Sequence, residues 1–142
     1  MANLIELRKH FFGILVALAC VTWLSHAGRV GHDYKVTEVD VFGARQLVDK
    51  GALVIDVRGQ EQYNFRHIPG AILVTIEELR AGIPAKLAAE AKSKSILVYC
   101  NQGLAHGPEG TAILNQAGFA GAVNLKGGIE GWAGAGYPIA RS

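Results

Sequence analysis

From residue 36 onward, short apolar runs alternate with amphipathic stretches. "ALVIDV" (52–57), "ILV" (72–74), "SILVYC" (95–100) and "AVNL" (122–125) are apolar, largely β-branched and of strand length, so they read as four strands. Continuous apolarity, rather than alternation, marks strands covered on both faces. Between them the spacing turns helical. Val41, Ala44, Leu47 and Val48 place a helix over "VFGARQLVDK", with Asp40 as N-cap and Gly51 as its stop. "EQYNFRHIPGA" reads as a short helical turn and a loop, closed by Pro69 and Gly70. Thr75 and Glu78 form a capping box that opens "IEELRAG". "PAKLAAEAK" carries Pro84 at its start, "PEGTAILNQA" ends at Gly118, and "GIEGWAGAG" is the last helix. This alternation predicts an α/β domain: a small, mostly parallel central sheet with helices on both faces. In such sheets the crevice that takes ligands lies beyond the carboxyl ends of the strands. Cys100 stands at one of those ends.

Residues 1–27 break the pattern. Arg8 and Lys9 precede an apolar run from Phe11 to Leu24, and small residues follow at Ser25 and Ala27. That order reads as a secretory signal peptide cleaved after Ala27. The run is shorter than the roughly 20 residues of a spanning helix, and an uncleaved membrane anchor through residues 11–24 is the other reading. Arg8 and Lys9 stay on the cytoplasmic side in either case. The domain is therefore expected to be exported, periplasmic or anchored to the inner membrane facing the periplasm. Residues 28–35 form a linker, and 36–140 the domain.

The 142 residues suit one core of ordinary size. A net charge of +2, evenly spread, argues against a nucleic-acid partner. The sequence gives no oligomeric state. Cleavage would remove Cys20 and leave Cys100 alone in an oxidising compartment. A lone thiol is either a small buried hydrophobe or a reactive group. With no second cysteine in the domain and no Cys/His pair at ligand spacing, no metal is expected, and no cofactor.

The residues after Cys100 favour the reactive reading. "NQGLAH" (101–106) reads as a loop, and Gly107, Pro108 and Glu109 as a helix start, with Pro108 in the first helical position. Gly103 can take the left-handed conformation that turns successive N–H groups inward as an anion nest. Such a nest stabilises a thiolate, a terminal persulfide anion or the oxyanion of a substrate. His106 in the loop is a candidate base or cation, or an ordinary surface residue.

Three stretches now resemble a known family. "LVIDVRGQEQYNFRHIPGAILV", "ILVYCNQG" and "AGFAGAVNLKGGIEGWAGAGYP" are similar, in order, to the single-domain rhodanese (sulfurtransferase) family, over residues 36–140. The resemblance implies a small α/β domain. It implies that Cys100 attacks the outer sulfur of a donor, becomes a persulfide, and yields that sulfur to a thiol or cyanide. Asn101, Gln102, Gly103, Leu104, Ala105 and His106 match the loop that holds the persulfide. Asp56 and Arg58 match a "D-V-R" at another strand end, as a supporting pair near the site. His67, Pro69 and Gly70 match a turn that shapes the fold, and Trp132 and Tyr137 match core positions. The implied partners are a small sulfur-containing donor and a thiol acceptor.

The chain departs from the family in two places. Family loops often carry an arginine in a C-x-x-G-x-R pattern, where this chain has Leu104 and Ala105. No Lys or Arg occurs between Lys94 and Lys126, and Glu109 adds negative charge. Dianionic thiosulfate therefore fits less well than a persulfide or polysulfide. The stretch from Cys100 to Phe119 is also one residue longer than usual, in the loop or in "GPEGT". The leading function is sulfur transfer through a Cys100 persulfide. The alternative is a non-catalytic module that binds a sulfur species or a protein partner. Phosphatase chemistry needs an arginine clamp that the loop lacks. A redox-sensing thiol is a further reading.

Overall fold

The structure is a computed structural model that describes residues 33–89, 92 and 94–142. The expected signal segment and the start of the linker lie outside these residues. Residues 34–142 fold as one compact unit around a five-stranded sheet. Strand β1 spans Glu38–Val39, β2 Leu53–Asp56, β3 Ile72–Leu73, β4 Ile96–Tyr99 and β5 Ala122–Leu125. The spatial order is β1-β5-β4-β2-β3, and every pairing is parallel. Four strands match the apolar runs. The fifth, β1, is two residues long and joins the edge beside β5; so short a strand carries no period to read.

Successive residues of the central strands point to opposite faces. Ile55, Val57, Ile96 and Val98 pack on one side with Leu79, Leu87 and Leu114. These three come from helices α3 (Ile76–Ala81), α4 (Ala85–Ala88) and α5 (His106–Gln116). Val54, Leu97 and Tyr99 pack on the other side with Ala44, Ile129 and Trp132. That face is covered by α1 (Val41–Asp49), α2 (Gln60–Phe65) and α6 (Gly128–Gly134). Both faces are thus buried, which is why the strand sequences do not alternate. Trp132 and Tyr137 are core partners with ring centroids 4.9 Å apart. His67 stacks on Tyr63 and pairs with Ala140 through the backbone, in the turn the resemblance implies.

The helix starts follow local chemistry. The Asp40 side chain accepts from Gly43 N at 2.8 Å, a cap worth about 1 kcal/mol. Thr75 and Glu78 exchange the two bonds of a capping box. Two expectations shift. The α4 helix covers Ala85–Ala88, with Pro84 as its N-cap. The α5 helix begins at His106, with Ala105 as N-cap. Pro108 is therefore its third residue, not its first, and the loop after Cys100 has five residues rather than six. Ala105 has no side chain able to cap, so the sequence carries no signal for that boundary. Among the described residues no helix is long and apolar enough to cross a membrane.

Candidate active site at the carboxyl ends of β2 and β4

Cys100 follows the last residue of β4 and is 7 % exposed. Its Sγ accepts a hydrogen bond from the Gly103 N–H at 3.2 Å. Gly103 has φ +72°, which permits the tight turn that aims this N–H at the sulfur. A side chain there would also run into the backbone of Leu125, Gly127 and Gly128. The loop is pinned from below by α6, whose Ile129 and Glu130 N–H groups donate to the carbonyls of Cys100 and Asn101, each at 3.0 Å. Gly107 lies against the sulfur: a Cβ placed on it would sit 3.3 Å from Sγ. The helix start can approach the thiol because that residue has no side chain.

Above the sulfur is an open cavity of about 230 Å³. Cys100, Asn101, Gln102, Leu104, Ala105 and His106 line it, with Arg58 and Gln62 completing the wall. Gly103 contributes its N–H from beneath. The structure thus brings together the residues of the expected loop. His106 is exposed and stands in the first turn of α5, not in the loop. Leu104 is 79 % exposed. A second cavity of about 370 Å³ shares Arg58, Gln62 and Asn101 with the first, and adds Phe65, Arg66 and Glu130. The two therefore adjoin, and a molecule with one atom at Cys100 has room to extend between α2 and α6.

The end of β2 supplies the cation that the loop lacks, but holds it fast. Arg58 and Asp56 are 4 % and 0 % exposed. Arg58 Nε donates to Asp56 Oδ1 at 2.9 Å and Nη2 to Oδ2 at 2.7 Å. Nη2 also donates to the Arg66 carbonyl at 2.6 Å, and Nη1 to Asn101 Oδ1 at 3.1 Å. Burial works to push the Arg58 pKa down, but the hydrogen bond and charge of Asp56 outweigh it and leave the pKa raised. Beneath them lies Tyr99, whose hydroxyl accepts from Ile68 N at 3.1 Å. Burial, and then the Asp56 charge, raise its pKa far above the usual phenol range, so the ring stays neutral. Glu109 points away from the thiol's service as well: Arg80 clamps it bidentately at 2.7 and 2.8 Å. The expected negative charge near the loop is therefore met by a cation from α3.

Asn124, inside "AVNL", escapes a reading of pattern because an isolated polar residue in a strand suggests a solvated face. It is fully buried. Its Nδ2 donates to the Gly103 carbonyl at 3.0 Å and to Glu38 Oε1 at 2.7 Å. Both partners are acceptors only, so the amide nitrogen must face them. Its Oδ1 is buried without a hydrogen-bond partner, beside Gly107. An orphaned acceptor costs about 1–3 kcal/mol, a penalty this amide carries. Among the described residues no group of three or more His, Cys, Asp or Glu side chains is arranged to hold a metal.

Residues 43–135 match the family model described as the rhodanese-like domain. The chain is 30% identical over 132 residues to the uncharacterized protein YibN of Escherichia coli K12, covering 92% of this chain and 87% of that one. It is 31% identical over 106 residues to a sulfurtransferase of Allochromatium vinosum, covering 73% of this chain and 94% of that protein. Among solved structures, the rhodanese-like domain of the Anabaena protein Alr3790 matches with a TM-score of 0.63 at 29% identity, over 74% of this chain and 79% of that one.

Proposed function

This chain belongs to the rhodanese-like domain family, and from that premise we propose that it is a sulfurtransferase working through a persulfide on Cys100. One observation carries the reading: a single thiol stands at a strand end, under an open cavity, with a backbone N–H aimed at its sulfur. The Cys100 thiolate attacks the terminal sulfur of a donor R–S–S⁻. A Cys100–sulfur bond forms, the donor's S–S bond breaks, and R–S⁻ leaves with the bonding pair. An acceptor thiolate then attacks the terminal sulfur, the Cys100 S–S bond breaks, and Cys100 returns as a thiolate. Sulfur moves between thiols with no net oxidation, so no cofactor enters the balance. The N–H of Gly103 and the loop peptides offset the charge that appears on the sulfur.

The donor class follows from the charges. Among the described residues of the cavity wall, Arg58 is the fixed cation, and four of its five N–H donors go to Asp56, Asn101 and the Arg66 carbonyl. A dianionic donor such as thiosulfate meets there a guanidinium whose charge is already paired with Asp56. A persulfide R–S–S⁻, with a single negative charge, suits it better. We also place the domain outside the cytoplasm, on the strength of the signal-like run at 11–24. The alternative, a module that binds a partner without turnover, draws on Leu104, an apolar side chain exposed on the loop. Steady-state transfer from polysulfide to a small thiol separates the two. Cys100→Ser is expected to fall to background while staying folded; turnover near wild type in that variant refutes Cys100 as the nucleophile.

A further inference from the structure

We infer that Asn124 is a positioning residue for sulfur transfer, shaping the loop beside Cys100 from underneath; the inference rests on the sulfurtransferase reading. The Asn124 side chain on β5 touches the loop, β1 and the first turn of α5. Its Nδ2 holds the Gly103 carbonyl and the Glu38 carboxylate of β1, while its Oδ1 abuts Gly107 in the first turn of α5. Gly103 is the residue whose N–H reaches the sulfur. Its own carbonyl is drawn inward to Asn124. In a trans peptide the C=O and N–H point in opposite directions, and among the described residues there are no cis bonds. Drawing the Gly103 carbonyl inward therefore turns the Leu104 N–H outward, toward the side on which Leu104 lines the cavity. One amide thus holds the peptide after Gly103, directly beside the one whose N–H reaches the sulfur. Its Oδ1 makes no hydrogen bond, so the polar contacts of this side chain are those of its nitrogen.

Asn124→Asp keeps the shape but removes both donated bonds. It is expected to lower kcat/KM for polysulfide-to-thiol transfer about 10- to 100-fold, the scale on which displaced positioning groups act. Adding Glu38→Gln restores a donor across the same gap, from the amide introduced on β1 to the new carboxylate, but leaves the Gly103 carbonyl unheld. The double variant should regain most of the thermal stability and little of the rate. Glu38→Gln alone should behave as wild type. Recovery of rate together with stability in the double variant overturns the inference, as does wild-type kcat/KM in Asn124→Asp. If Asn124→Asp does not fold, the double variant decides against wild type on the same terms. The rate of Cys100 alkylation by iodoacetamide gives a readout that needs no turnover. It should stay altered in the double variant, and a return to the wild-type rate there counts against the inference. Absence of any transfer by wild type would instead sink the sulfurtransferase reading, and alkylation would still judge Asn124.

Discussion

Two neighbouring strand ends, those of β2 and β4, solve the same problem in opposite ways. Each brings a reactive group to the carboxyl edge of the sheet. At β2 the group is a guanidinium, buried and held by a carboxylate, a carbonyl and an amide. At β4 it is a thiol, largely buried on the core, that receives one backbone N–H and lines a cavity. Full charge serves as scaffold at one end, and partial backbone charge serves the site at the other. A buried ion pair must be satisfied completely or it destabilises, so Arg58 has little left to give a substrate. Backbone N–H groups carry no such demand for a counter-ion, and stay available for a sulfur anion.

Breaking the β2 end should have the larger effect on the fold. Asp56→Ala leaves the Arg58 charge buried without its carboxylate, and is expected to cost about 3–5 kcal/mol in denaturant unfolding. That is a large share of the roughly 5–15 kcal/mol typical of a domain. A loss below about 1 kcal/mol would mean the pair acts as a surface one. The pH sign agrees with a permanent scaffold. The raised Arg58 pKa contributes stability fully present below the unfolded arginine value, lost only as pH rises through the folded one, so it does not vary around neutrality.

A smaller effect sharpens the β4 end. Leu104→Arg places an uncommitted cation where the cavity has none. The KM for thiosulfate should fall about 2- to 5-fold, the scale of an exposed ion pair. The KM for a monoanionic alkyl persulfide should move less, and stability should stay within about 0.5 kcal/mol. An unchanged thiosulfate KM would show that loop charge does not govern donor choice.

Legibility in the sequence follows the same division. The strand ends were readable, because doubly covered strands are uninterrupted apolar runs and Cys100 closes one of them. The loop is readable from Gly103 as far as Ala105, while its end is not, and His106 belongs to the helix. Arg58 was visible only as a match to a motif; its burial depends on Asp56, Arg66 and Asn101, which come together in space from three segments. Asn124 was invisible for a related reason. Its two acceptors lie at Gly103 and Glu38, and no local pattern links them. The two-residue β1 and the uncapped start at Ala105 left no signal, since one is shorter than any period and the other uses no capping side chain.

Persulfide formation on Cys100 is a covalent event, so intact-mass spectrometry after polysulfide treatment detects it without inference from rates, with peptide mapping and Cys100→Ser alongside. We expect one added sulfur atom on Cys100, discharged by a thiol, and none on the variant. Unmodified wild-type protein, beside a competent sulfurtransferase that does take up sulfur, would contradict a Cys100 persulfide.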